Sequence, residues 1–568
     1  MTESEAWAAA ALETTVLQLF SRNVAQFPQQ PALADGDRTL TWEQVRHEVQ
    51  VVAAGLAALG LQLGQAMLIM APNRVEHWLV DVAAAHLGAV PSTLYPTLSQ
   101  DQVHYAAHHS RAKVVVLDSA DQLRRWSKVL RNASDVQHVV VLDEQAMVSA
   151  DERFRTWDRL RELGEQRLRE DPELVQRAST AIGPADPAAI IYTSGTTGEQ
   201  KGVVLTHRNI CFAAAALHQA TQAERHAPRI CYLPLAHIAE RMVSIYAAIH
   251  DVAHVHFCAD QKQLPAVLAR ARPSLFFAVP RVWEKLAAAL RDIPADQRTP
   301  QAARRLRSRL GLDRATWPAS GAAPIDRELV ELFSTIGVDI FELWGMTETT
   351  GCATTNRAGA NRPGTVGRPV PGVEVRTSDD GEVLVRGPLV CAGYLEPDGA
   401  IRPATDADGW LRTGDVGTVD ADGYLSITDR KKELIITDGG KNIAPTLVES
   451  ALRAHPLLGH ALVFGDRRPY LVALLVLDED AAPKWARERG IAFGSLRELA
   501  EHPAVQSEVA AAVAAANDRL NRPEQVKRYR VLAHSWGVEG GELTPTLKLK
   551  RRVIHEKYAD VIDQLYST

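Results

Sequence analysis

The 568-residue chain has few cysteines, few aromatics and no long apolar run. Its five cysteines, Cys211, Cys231, Cys258, Cys352 and Cys391, are odd in number, widely spaced and never arranged as C-x-x-C. That excludes a disulfide framework and a cysteine zinc site, leaving buried thiols in a reducing compartment. No segment reaches the roughly 18 uninterrupted apolar residues of a membrane helix. The N-terminal "MTESEAW" carries acids where a secretory signal would be positive, so the expectation is a cytoplasmic protein. Positive charge is not in excess either: 63 Lys and Arg stand against 69 Asp and Glu, a net charge of −6. Without a basic field the chain is not expected to bind nucleic acid.

What is present is globular, with 46% hydrophobic residues over a length that exceeds one core. Short apolar runs, "AMLIMAP" (66–72), "AKVVVLD" (112–118), "QHVVVLD" (137–143) and "AAIIYTSG" (188–195), alternate with Ala-rich helical stretches such as 46–60 and 78–87. This reads as α/β with a largely parallel sheet. From about residue 364 the texture changes to Gly- and Pro-punctuated short strands, which suit a small antiparallel barrel or sheet. After Arg430, "PTLVESALRAHP" places Leu447, Val448, Ala451 and Leu452 on one helical face, and "HALVFGDRRPYLVALLVLDED" reads as two strands around a turn. A compact α+β domain follows from that. The Arg-rich stretch 153–176 reads as a solvated helix, and His104, His108 and His109, lacking acidic or cysteine partners, as a solvated face.

The stretch "IIYTSGTTGEQKGVVLTHRNI" (190–210) ends a buried strand in a loop of glycines and hydroxyls. Glycine lets backbone approach a ligand, Ser194, Thr196 and Thr197 donate to phosphate oxygens, and Lys201 adds a full charge. This is a phosphate cradle. It is not a Walker loop, because Lys201 is followed by Gly202 instead of Ser or Thr. Alone, such a loop reads equally well as a bare turn.

Its company decides the matter. "YTSGTTGEQKGV", "LPLAHIAERM" (233–242), "SGAAP" (320–324), "ELWGMTETTG" (342–351), "TGD" (413–415), "DRKKELIITDGGKNIAP" (429–445) and "GELTPTLKLKR" (541–551) occur in one order. Together they resemble the adenylate-forming (AMP-binding) superfamily, and "PLAHIAERM" and "TPTLKLKR" look most like its long-chain fatty acyl-CoA synthetases. The resemblance implies a large N-terminal domain (1–430) with parallel-rich sheets flanked by helices and a small β-barrel-like part, and a small mobile α+β C-terminal domain (431–568). It implies an ATP- and Mg²⁺-dependent ligase that joins a long-chain fatty acid to coenzyme A, first expelling pyrophosphate and then AMP.

Carried over by position, Thr193, Ser194, Gly195, Thr196, Thr197 and Lys201 would hold the ATP phosphates. Gly321, Ala322 and Ala323 would line the adenine, with Trp344, where the family usually has tyrosine, Gly345 and Met346 beside it. Thr347 would touch the α-phosphate, and Glu348 with Thr193 would hold Mg²⁺. Asp415 would accept from the ribose hydroxyls with Arg430 beside them. His237 would lie against the acyl carboxylate, Lys548 would serve the first step, and Lys432 would be the hinge, where many relatives have an acid. Read singly, Glu348 is also a helix N-terminal acid, Asp415 a turn residue, Arg430 a surface ion-pair partner and Lys548 part of a basic tail. An acyl-AMP ligase loading a carrier protein, an amino-acid-activating domain with Glu240 as the amine's partner, and a nucleotide-binding regulator without catalysis are the competing readings. Peripheral membrane contact and the choice of monomer or homodimer stay open.

Overall fold

The computed structural model describes residues 3–132, 135–143, 151–194, 200–291, 293–294, 297–438, 441–538, 540–544 and 548–567. The chain divides into two compact units. One comprises Met1–Arg376, Leu384–Arg412 and Val419–Ser426, the other Thr377–Val383, Thr413–Thr418 and Ile427–Thr568.

In the larger unit, Val90–Thr93, Ala66–Met70, Val114–Leu117, His138–Val141 and Phe154–Thr156 lie side by side as an all-parallel sheet. The first four strands are buried almost throughout, which is why they carry uninterrupted apolar runs. Helix Trp42–Ala58, started by a Thr41/Gln44 capping box, packs on helix Trp157–Glu170. That second helix belongs to the Arg-rich stretch, which is therefore not simply solvated. Leu160 is fully buried, and a Cβ on Gly164 would collide with the Val51 carbonyl, so glycine is what lets the two backbones meet. A further sheet runs Leu275–Ala278, Trp317–Ser320, Phe341–Met346 in parallel, then continues with Gly351–Thr355 and Arg368–Pro369 antiparallel.

Strand Pro187–Ser194 departs from the parallel pattern: it pairs antiparallel with Gln200–Thr206. The reason is length. A parallel crossover needs about a dozen residues or more, and far fewer separate the two strands in the sequence. Gly393–Leu395 and Ile401–Arg402 extend this hairpin to four strands. A separate four-stranded sheet holds Glu374–Thr377, Glu382–Arg386, Leu411–Val419 and Leu425–Arg430, in that order.

In the second unit, Leu458–Phe464, Leu471–Leu477 and Val526–Leu532 form a three-stranded sheet. Every residue of the central "LVALLVL" is buried because apolar clusters cover both faces. Helix Pro445–Arg453 buries Pro445, Val448, Glu449 and Leu452, an i, i+3, i+4, i+7 face. Leu447, expected on that face, is instead 53% exposed, because the buried stripe includes an acid, Glu449, which Arg551 grips with both terminal nitrogens at 2.6 Å. His109 also departs from the solvated reading: it is buried and its Nδ1 lies 3.0 Å from the Tyr192 hydroxyl.

Candidate active site

Antiparallel register sets Thr193 directly across from Lys201, one pair before the loop. The next strand delivers a residue that no motif had flagged, Tyr394, which pairs with Val203 beside them. Lys201 Nζ stands 5.1 Å from the centre of the Tyr394 ring, and the Tyr394 hydroxyl donates to Glu348 Oε1 at 3.0 Å. Burial, then the Glu348 charge, pushes the Tyr394 phenol far above its ordinary pKa, so it stays a donor. Gly195, Thr196 and Thr197 lie outside the described residues. Ser194 ends its strand, and Gln200, at the other side of the loop, has a buried Oε1 without a hydrogen-bond partner among the described residues.

Glu348 sits in a tight turn, Thr347–Thr349, at the end of strand Phe341–Met346. It is 8% exposed, and among the described residues no cation lies within ion-pair reach of it or any carboxylate within reach of Lys201. The turn is pinned on both sides. Its Glu348 carbonyl accepts from Cys391 N at 2.8 Å, Thr350 Oγ1 donates to the Leu389 carbonyl at 2.6 Å, and Met346 N donates to Thr349 Oγ1 at 2.9 Å. A Cβ on Gly345 would collide with the Gly351 carbonyl, so only glycine fits there. Thr347 is half-buried and Met346 opens the turn as its cap.

Strand Trp317–Ser320 neighbours Phe341–Met346, so Gly321–Ala323 follow a strand end beside the strand that carries Trp344. Gly321 has no room for a side chain against Leu343 and Phe277, and Ala322 holds a left-handed φ of 67°. Trp344 is 8% exposed. Ser320 Oγ is buried without a partner among the described residues.

His237 caps helix Ile238–Arg241, its Nδ1 accepting from Ala239 N at 3.1 Å. In the neutral ring this puts the proton on Nε2. Glu240 closes the same loop: 2% exposed and without a cationic partner among the described residues, it accepts from Leu233 N at 2.8 Å and from the Ser244 hydroxyl. Burial pushes its pKa up to about 7 against these hydrogen bonds. The adjacent Arg241 is spent on Asp81, at 2.7 and 2.8 Å.

In the second unit, Asp415, which is 4% exposed, lies 2.6 Å from Arg430 Nε. Gly414, which precedes Asp415, takes a φ of 73°, donating to Glu382 at 3.0 Å and accepting from Lys431 N at 2.8 Å. Lys431 bridges Asp380 and Glu382, and Lys432 is exposed beside it. Lys548 is exposed over the residue as a whole, but protein around its ammonium, then Arg430, pulls its pKa below the lysine value, opposed by Asp415 and Glu433. Its neighbour Arg551 is no free tail residue, since it is held by Glu449 and Glu433.

Residues 20–395 match the AMP-binding enzyme family, and residues 432–568 match the AMP-binding enzyme C-terminal domain. The chain belongs to the AMP-binding enzymes. Within that family it is 34% identical to the long-chain-fatty-acid–CoA ligase FadD15 of Mycobacterium tuberculosis, over 94% of each chain. It is 29% identical to the long-chain-fatty-acid–CoA ligase ACSBG2 of Xenopus laevis, over 97% of this chain and 84% of that one. In fold this AMP-binding enzyme is similar to the adenylation domain of a carboxylic acid reductase from Segniliparus rugosus, solved with AMP and a co-purified carboxylic acid, with a TM-score of 0.76 and 19% identity over 99% and 96% of the chains. Among its described residues no helix is long and apolar enough to cross a membrane.

Proposed function

We propose that this enzyme uses ATP to convert a long-chain fatty acid to its acyl-adenylate and transfers the acyl group to coenzyme A. The carrying observation is the Lys201–Tyr394–Glu348 chain, in which one neutral phenol orders a cation and an anion and neutralises neither. Thr193 and Lys201, with Ser194, Gly195, Thr196 and Thr197, would receive the phosphates, and Gly321, Ala322, Ala323, Trp344, Gly345 and Met346 the adenine. Glu348, buried with no ion-pair partner among the described residues and joined through Tyr394 to the strand pair that carries Thr193, offers with that threonine oxygen donors that suit Mg²⁺, so Glu348 and Thr193 would hold it. When bound, the metal would supply neutralising charge at the leaving phosphates.

His237 Nε2–H would orient the fatty carboxylate for attack on the α-phosphorus, and Thr347 would donate to the α-phosphate as charge develops. Asp415 has acceptor capacity for a ribose diol once shared with Arg430. Lys548 would stabilise the first transition state more than the ground state. We assign residues 1–430 and 431–568 as the two domains, with Lys432 as the hinge position that lets the smaller one serve each step in turn. The amino-acid reading loses its support, because Glu240 is committed to Leu233 and Ser244.

The test is pyrophosphate release, with and without coenzyme A, across acids of rising length. An apolar tunnel gains about 0.8 kcal/mol per buried methylene, so kcat/KM rises with length and then falls. Preference for acetate, aromatic acids or amino acids would overturn the substrate class. Thioester formed only on a carrier protein would replace the acceptor.

A further inference from the structure

Away from these residues, three metal-ligand atoms converge at one place in the larger unit. His218, in the last turn of helix His207–Thr221, brings Nδ1 to 2.8 Å from Asp251 Oδ1. His250, preceding Asp251 at the end of helix Ala247–Asp251, brings its Nδ1 to 2.7 Å from the same oxygen. The three atoms lie within 4.8 Å of one another. The imidazoles are 24% and 20% exposed, so the cluster opens to solvent, while the Asp251 side chain is 2% exposed.

The second carboxylate oxygen is held from below by Arg229, which is 1% exposed, and Arg22 donates to the His250 carbonyl at 2.8 Å. Outer partners of this kind fix a ligating carboxylate and stop it rotating away. Despite its burial, Asp251 is kept well below the usual carboxylate range, by Arg229 first and then His218 and His250.

We propose that His218, His250 and Asp251 form a surface site for a first-row divalent transition cation such as Zn²⁺. Two imidazole nitrogens and one carboxylate oxygen are the borderline N/O set that favours Zn²⁺ over Mg²⁺ or Ca²⁺, with a remaining position for water. On binding, each ring exchanges its Nδ1 hydrogen bond to Asp251 for the metal and presents the Nδ1 lone pair as its Nε2–H tautomer. The small outward shift this needs falls on two side chains that already face solvent. Arg229 offsets the Asp251 charge and so limits affinity to a micromolar rather than a tight structural site. Once occupied, the site ties the ends of two helices to strand Pro228–Cys231.

The full-length chain, free of any histidine tag and stripped with EDTA, is equilibrated with Zn²⁺ in the absence of nucleotide. One zinc per chain is expected, with visible d–d bands when Co²⁺ is substituted. His218→Gln, which can still donate to Asp251 but ligates poorly, lowers the affinity by at least about tenfold, whereas His104→Gln, on another helix, leaves it unchanged. Equal unfolding midpoints of metal-free wild type and His218→Gln show that the fold is intact, and His250→Gln gives an independent second reading. Zinc binding that survives both substitutions, Mg²⁺ that competes at equal concentration, or no zinc retained at micromolar free metal overturns the proposal and leaves a hydrogen-bonded His–Asp–His cluster.

Discussion

Acids in two parts of this molecule are satisfied in opposite ways. Glu348 and Glu240, in the larger unit, accept from a phenol, a hydroxyl and a backbone N–H, and among the described residues no cation pairs with either. Asp415 and Glu449, in the second unit, are gripped by the guanidinium groups of Arg430 and Arg551. A neutral donor orients a carboxylate and leaves its charge to act on whatever arrives, whereas a guanidinium both orients it and cancels it. The first arrangement is what metal and phosphate chemistry requires, and the second is what holds a fold or positions a neutral diol.

The largest effect should come from crossing this division with Lys548, a cation of the second unit assigned to the first step. Lys548→Ala is expected to lose about 3 to 4 kcal/mol of transition-state stabilisation in the first step, with ATP affinity nearly intact. Synthetic acyl-adenylate should still be converted to thioester at near the wild-type rate. Equal damage to both half-reactions would make Lys548 a structural residue like Arg551.

Next, Glu348→Gln keeps the shape and the Tyr394 hydrogen bond but removes the uncancelled charge. Adenylation should fall by a factor on the order of 10² or more while metal-free ATP binding survives. Wild-type turnover would show that the charge is idle.

The same contrast has a pH signature. Burial raises Glu240 from 4.5 to about 7, so the folded state holds its proton more tightly than the unfolded chain. Its contribution is complete below about pH 4.5 and is lost as pH rises through 7. Glu240→Gln should remove that slope, gaining on the order of 2 kcal/mol relative to wild type between pH 5 and pH 8 in denaturant titrations. Parallel pH profiles would mean that Glu240 has a hidden cation.

Tyr394→Phe tests the smallest term, the neutral donor itself. Loss of one hydrogen bond to a charged acceptor costs about 1.5 kcal/mol, a tenfold fall in kcat for adenylation with KM for the fatty acid unchanged. An unaltered kcat would make Tyr394 a packing residue.

Much of the larger unit was legible because buried parallel strands are written as apolar runs, as in 66–72 and 112–118. Glu348, Asp415 and Lys201 were legible only through motif spacing. Tyr394 was not, since its part comes from pairing with a strand far away in sequence, and no local periodicity records such a partner. The exposed Leu447 was misjudged for a related reason: the helix face was assigned from apolar residues alone, and an ion pair with distant Arg551 let Glu449 take the buried place. Reading 153–176 as a solvated helix missed the packing at Gly164 for the same reason, since the Val51 carbonyl that demands glycine there is far away in sequence.

The pairing of Gly393–Leu395 with Gln200–Thr206 also sets a timetable for synthesis. At about 5 to 20 residues per second, the ribosome releases the hairpin roughly 10 to 40 s before the strand that completes it. Throughout that interval Gln200–Thr206 presents an open edge of "VVL" to other nascent chains. Slower translation lengthens this exposure. Yield of soluble enzyme should therefore depend on chaperones that shield unpaired strand edges while the missing strand is being made.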